Sequence, residues 1–355
     1  NRSGDMNTFL LPWLQAIHDG GFKAMAGGFS DYTPPYIYLM GLFAQLRIPP
    51  ETVIKLISVI FDIILAFGVM ALVNSIVRKR MVAVGAFFSV LLLPTVILNS
   101  SYWGQCDVIY TGLLVFSLYY LVRNGMTNAD TYLSLLFFSL AFAFKQQTVF
   151  IAPLYAVLLF RKHISWRAFL VIPGVYLLMV VPAWIAGRSL VDLLFIYVNQ
   201  AGTYVGKLTL NAPNIYSFFD NNKAFSGWGL VMTAGIVAGL IIRFSLAREK
   251  LDARRIVGLA ALFSMVIPFL LPHMHERYYY LADVLMLVYA FLVPGRWYLP
   301  AIVVTGSLLS YQPFLFGMTS PLPQGVIAMA FAFVIFRLAM DAFRANPVSR
   351  FGRTV

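Results

Sequence analysis

The chain has 355 residues, of which 60% are apolar and only 11% are charged, against roughly 25% charged residues in a soluble globular domain. So few charges cannot cover a soluble surface, which excludes a soluble fold and points to a bilayer, whose core about 20 apolar residues cross as a helix. The net charge of +12 is spread over many short connections, not gathered in one block, which excludes nucleic acid as a partner.

In chain order, Asn1 to Asp5 is a polar opening without a recognisable signal peptide, as it would be if a helix preceded it. Phe9, Leu10, Trp13, Leu14 and Ile17 recur at helical spacing, which predicts an amphipathic helix over 8–18 lying on the membrane. Pro34-Pro35 opens a short apolar helix, 35–46, too short to cross. Spanning helices are expected near 55–77, 81–99, 107–123, 131–146, 148–160, 166–186, 227–247, 256–271, 278–293, 297–312 and 323–343. The short pair 131–146 and 148–160 is expected to be tilted or to stop inside the bilayer. The expected architecture is all-α: a polytopic bundle of eleven spans over 55–355, with an outer loop over 1–54 that carries interfacial helices. Further outer loops lie near 99–107, 187–226, 272–278 and 311–322, and no internal repeat is visible.

Basic residues orient this map. Arg78, Lys79, Arg80, Arg123, Arg161, Lys162, Arg167, Arg248, Lys250, Arg254, Arg255, Arg296, Arg344, Arg350 and Arg353 fall on one side, which is therefore read as cytoplasmic. The other side has fewer: Arg2, Lys23, Arg47, Lys145, Arg188, Lys207, Lys223 and Arg277. Residue 1 is then outside and the C-terminus inside. Cys106 is the sole cysteine, so no internal disulfide can form.

Polar residues that do not serve as cytoplasmic anchors gather on the outer face. They are Asp5, Asp31, the run Ser101 to Asp107, Lys145-Gln146-Gln147, and the run His273 to Tyr278. Four turns far apart in sequence thus converge on one face, which suggests a site at the membrane–water boundary. Each residue has a plain reading beside the functional one. Asp5 is either the N-cap of the helix that follows or a general base. Asp31 is either a cap for the proline-led helix or a second acidic group that orients an acceptor or binds a metal. In His273-Met274-His275-Glu276-Arg277-Tyr278, up to three cations stand beside one glutamate. The run either anchors the interface through Arg277 and its tyrosines or recognises phosphate. Lys145 either snorkels or meets a phosphate. Trp103 is either an interfacial tryptophan or a sugar platform, with Gln105 as its hydrogen-bonding neighbour. Asp107 reads as a helix cap. Asp62, deep in a span, is expected to make a structural polar contact, and His18 and His163 to be solvated.

These residues resemble the GT-C superfamily of membrane glycosyltransferases, which use polyprenyl-phosphate sugars. The nearest likeness is to bacterial homologues of the GPI-anchor mannosyltransferase II family; the chain is also similar to the dolichyl-phosphate-glucose glucosyltransferases. Asp5 in Ser3-Gly4-Asp5-Met6-Asn7 matches the place of the family's first-loop aspartate. Asp31-Tyr32-Thr33-Pro34-Pro35 looks like its Asp-Tyr-Pro-Pro element with Thr33 added. Tyr102-Trp103-Gly104-Gln105-Cys106-Asp107 keeps its Tyr-Trp-Gly-Gln-x-Asp element. Phe144-Lys145-Gln146-Gln147 looks like Phe-Lys-Pro-Gln without the proline, and His275-Glu276-Arg277 stands for His-Glu-Arg/Lys. The likeness rests on these five short elements, about a tenth of the chain.

The resemblance implies a helix before the aspartate, about twelve spans in all, and an inverting hexosyl transfer at the outer leaflet of the plasma (inner) membrane, with mannose as the nearest family's sugar. Asp5 would be the catalytic base. Arg277, His275, Lys145 and His273 would bind the donor phosphate. Asp31, Trp103, Gln105, Asp107, Glu276 and Tyr278 would contact acceptor or sugar. The expected partners are a polyprenyl-phosphate sugar, a lipid-linked or glycan acceptor and membrane lipid. No cofactor is expected, and a divalent metal is left open. Two rival readings are a secondary transporter or flippase of a sugar or lipid-linked substrate, and a noncatalytic subunit of an envelope-polysaccharide complex.

Overall fold

The computed structural model describes residues 2–201, 206–222 and 224–343. Lys223, Arg344, Arg350 and Arg353 lie outside the described residues, as does part of the 187–226 loop. The described chain is a helical bundle of the kind found in membranes. Its helices are α1 (Leu11–Gly20), α2 (Pro34–Phe43), α3 (Pro50–Val77), α4 (Arg80–Leu91), α5 (Pro94–Ile97), α6 (Asp107–Val122), α7 (Asn128–Phe144) and α8 (Ala152–Phe160). They continue as α9 (Val171–Ala186), α10 (Leu190–Ala201), α11 (Ala224–Ser245), α12 (Ala253–Leu270), α13 (Tyr280–Leu292), α14 (Tyr298–Phe316) and α15 (Gln324–Phe343).

Among the described residues, six helical stretches are long and apolar enough to cross a bilayer, and seven if the bent pair α4 and Pro94–Trp103 counts as one span. The stretches over Asp107–Val122, Asn128–Phe144 and Gln146–Phe160 are apolar but short, and α13 has only 13 residues. Two of these are deeply enclosed: α6 packs most heavily on α3 and α7, and almost every residue of α13 is buried. A helix wrapped in protein does not have to match the hydrocarbon thickness by itself. By contrast α11 buries only Gly229, Thr233 and Phe244, which leaves an apolar surface suited to lipid.

Two breaks shape the end of the bundle where the polar runs gather. The pair α4 and Pro94–Trp103 bends by 44° at Pro94, which has no amide hydrogen to continue the ladder. After α5 the backbone widens into a π-type turn, Leu98–Trp103, closed by Gly104 at φ +78°. A second wide turn, Met6–Leu10, leads into α1. Such turns are uncommon and recur at functional sites. The two turns touch: the Ser3 hydroxyl donates to the Trp103 carbonyl at 2.8 Å. The second break is Lys145, whose extended backbone (φ −155°, ψ 136°) separates α7 from the tight turn Gln146–Ile151 and α8.

The first amphipathic helix is present, but Leu10, Trp13, Leu14 and Ile17 are buried in the protein core. The stripe expected to face lipid faces the bundle, because the wide turn before it rolls the helix inward. The loop expected over 187–226 also contains a helix, α10, whose apolar residues face both inward (Leu193, Ile196) and outward. A short parallel pairing of β1 (Thr209–Leu210) with β2 (Met274–His275) ties this loop to the run that carries Arg277.

Gly104 is where two constraints meet. Its φ is left-handed, and a Cβ would stand 2.6 Å from Met6 Cε and 3.3 Å from Ile54 Cγ2. Gly104→Ala is expected to destabilise the protein by about 2 kcal/mol through backbone strain and crowding together. Thermal unfolding in detergent measures this, and an unchanged melting temperature would contradict the role given to the turn.

Candidate functional site

The site begins with which residue caps the first wide turn. Ser3 does: its hydroxyl oxygen accepts from the Met6 amide at 3.1 Å. The Asp5 side chain makes no capping bond, so the N-cap reading of Asp5 is not what the structure has. The carboxylate instead turns inward. Its Oδ2 accepts from Trp103 Nε1 at 2.9 Å, Gln105 Nε2 at 2.6 Å and Arg277 Nη1 at 3.1 Å. Three donors from two segments hold one oxygen, and Oδ1 takes none of them.

Each donor is held from behind. The Trp103 ring is fully buried, stacked on Phe314 at 5.1 Å and edge-on to Tyr311 at 5.4 Å. The Arg277 guanidinium lies 5.4 Å from the centre of the Trp103 ring, a cation–π distance. The Gln105 amide is oriented by Tyr32, whose hydroxyl donates to Oε1 at 2.9 Å. The reverse orientation would set an amide oxygen against the Asp5 carboxylate. Ser58 donates to the Gln105 carbonyl at 2.7 Å. Trp103 and Gln105 were expected to contact a sugar. Both are buried and committed to Asp5, so they position the carboxylate instead.

Lys145 and Asp107 form a second unit. Lys145 Nζ is 2.5 Å from Asp107 Oδ1, both side chains are buried, and Asn99 Nδ2 donates to Asp107 Oδ2 at 2.9 Å. Lys145 therefore neither snorkels nor offers its charge to a phosphate; it neutralises Asp107 and lies 5.3 Å from the centre of the Tyr32 ring. Asp107 makes no capping bond at the start of α6 and is closed off from an acceptor sugar.

The run from 273 to 278 divides. His273 has a left-handed backbone (φ +63°). Its Nδ1 contacts the Lys207 carbonyl at 2.5 Å and its Nε2 the Ser226 hydroxyl at 2.7 Å. Through these two contacts it clamps the 206–222 loop to α11. The His275 side chain is mostly shielded, 14% exposed, with Nδ1 3.9 Å from Glu276 Oε2. Burial, and then the nearby Arg277 and Lys145, push its imidazole down to about 2, so it is neutral at physiological pH and offers a hydrogen bond but no cation. Glu276 is buried, and burial pushes its carboxyl up to about 7, against the pull of Arg277. Tyr278 packs edge-on to His275 and Phe150. Asp31 is exposed and caps nothing; its backbone carbonyl accepts from the Gln200 amide, and its carboxylate stays outside the cluster.

Asp62 makes the expected structural contact, accepting from the Ser100 hydroxyl at 2.7 Å. Sequence reading missed Ser58 and Asn99, whose roles depend on contacts no local pattern announces. Ser3 and Tyr32 lay inside elements that the sequence pointed to and could have been found there. Among the described residues no three His, Cys, Asp or Glu side chains stand close enough to hold a metal ion. The chain matches no family model, and no curated protein matches it.

His275 gives a pH test. Its folded-state pKa lies below the 6.5 of the unfolded chain, so it contributes stability that is present above pH 6.5 and is lost as pH falls below that value. Glu276 slopes the other way, but it is common to both proteins when wild type is compared with His275→Gln. The melting temperature of wild type relative to His275→Gln is expected to fall between pH 7.5 and 5.5. A constant difference would mean that His275 is not held neutral.

Proposed function

We propose that this chain is an inverting membrane glycosyltransferase, which moves a monosaccharide from a polyprenyl-phosphate donor to a lipid-linked or glycan acceptor. The proposal includes the GT-C architecture, eleven crossings in this segment, and a site facing the periplasm or cell exterior from the plasma membrane. The observation that carries it is the ion pair between Asp5 and Arg277, 272 positions apart and 3.1 Å from each other. A carboxylate and a guanidinium, each only 13% exposed, combine the base and the anion-stabilising charge that such a transfer needs.

In this reading Asp5 Oδ1 accepts the proton of an acceptor hydroxyl. That oxygen attacks the anomeric carbon from the face opposite the phosphate. The bond from the anomeric carbon to the phosphate oxygen breaks, and its electron pair leaves with the phosphate. Arg277 faces the growing negative charge, with neutral His275 as a hydrogen-bonding neighbour. Trp103 and Gln105 hold the carboxylate on Oδ2, so that its free oxygen keeps one direction. Lys145 and Asp107 act as a neutral floor beneath Gln105 and Tyr32. Mannose is the sugar suggested by the resemblance.

Asp5→Asn keeps the size of the side chain and removes the base. Turnover is expected to fall roughly 100-fold or more, with donor binding retained. Purified protein is incubated with several polyprenyl-phosphate sugars, and mass spectrometry of the lipid products shows which donor is consumed. Near-normal turnover by Asp5→Asn would end the assignment. Sugar or lipid flux into liposomes without consumption of any donor would favour a transporter.

A further inference from the structure

Away from Asp5, a second polar feature sits where α9 meets α10. Gly187, with φ +114°, ends α9, and the next residue, Arg188, turns into a cleft. The cleft is small and half open to the surface, about 10 Å³, and is lined by Met25, Gly27, Phe29, Ser30 and Arg188, with Pro34, Ile37 and Ala183 completing the wall. The Ser30 hydroxyl in its wall already donates to the Tyr32 carbonyl at 3.2 Å.

Arg188 is the cation that faces this cleft. Its Nε is buried and has no hydrogen-bond partner, and its guanidinium makes no ion pair among the described residues. Asp192 acts on it through space, but burial dominates and holds the guanidinium below its usual value. A half-buried guanidinium with one donor unmet is destabilised, and an arriving anion relieves that. The Arg fork suits the paired oxygens of a phosphate.

The surroundings indicate what carries that anion. Trp184 and Ile185 on α9, and Val191, Phe195 and Val198 on α10, are large, apolar and more than half exposed. α10 is fastened to its neighbours at two points: Tyr176 on α9 donates to the Leu193 carbonyl at 2.8 Å, and the Gln200 amide donates to the Asp31 carbonyl. A positive charge thus sits at the edge of a continuous apolar face. We propose that the open mouth of this cleft binds the phosphate headgroup of an anionic membrane lipid against Arg188, with its acyl chains along the exposed faces of α9 and α10. The site does not depend on the glycosyl-transfer reading, since it shares no ligand with Asp5.

The test measures dioleoylphosphatidylglycerol binding to the purified, delipidated full chain by native mass spectrometry, with dioleoylphosphatidylcholine and inorganic phosphate as separate probes. Wild type is expected to hold one phosphatidylglycerol more tightly than phosphatidylcholine. Arg188→Gln is expected to lose that binding by at least about tenfold, and Arg188→Lys, which keeps the charge without the fork, to fall between. Phe195→Ser should weaken the lipid while leaving Arg188 in place. Equal phosphatidylglycerol binding by wild type and Arg188→Gln would overturn the site. Inorganic phosphate binding as tightly as the lipid would overturn the lipid assignment. If Arg188→Gln does not fold, the Arg188→Lys and Phe195→Ser comparisons decide by the same criteria.

Discussion

Everything at the polar end of this bundle depends on one oxygen atom, Asp5 Oδ2, and the three donors that reach it. Trp103, Gln105 and Arg277 come from two different segments far along the chain, and Asp5 from the first few residues. The contact forms only if the Met6–Leu10 turn, the Leu98–Trp103 turn and the segment before α13 are all seated together. A buried charge pair of this kind is weak evidence of stability, because the desolvation of both ions offsets much of their attraction. A fully partnered network does fix direction, and direction is what a catalytic carboxylate requires.

The charges near that oxygen are fewer than the residue types suggest. Lys145 is cancelled by Asp107, His273 is spent on the 206–222 loop, and His275 is held neutral by burial. Arg277 is left as the permanent cation beside Asp5, with Glu276 close to its titration point. A negatively charged substrate arriving here would meet one guanidinium in a nearly neutral setting, so its attraction would be local and geometric more than long-range.

Much of this was legible in the sequence, and the reasons are physical. Long apolar runs require helices in a bilayer, so the succession of helices could be read to within a few residues, as with α3 and α15. Residues placed on one predicted face, such as Asp5, Gln105 and Arg277, did meet. Their roles were harder to read. Whether Trp103 faces a ligand or a neighbour depends on Phe314 and Tyr311, more than 200 positions on. Whether Lys145 is free depends on Asp107, across a helix pair. Hydropathy also treated α13 as an ordinary span, since it cannot tell an apolar helix enclosed by protein from one that faces lipid. α10 escaped because its apolar residues at helical spacing sit in a loop rich in Asn and Pro farther along.

The most direct measurement is a double-mutant cycle on turnover with Asp5→Asn, Arg277→Gln and the pair together, using whichever polyprenyl-phosphate sugar the protein consumes. If the carboxylate and guanidinium act as one unit, the double variant should lose little more activity than the worse single variant. Losses that simply multiply would show two independent residues, and would contradict the shared site on which the proposed transfer rests.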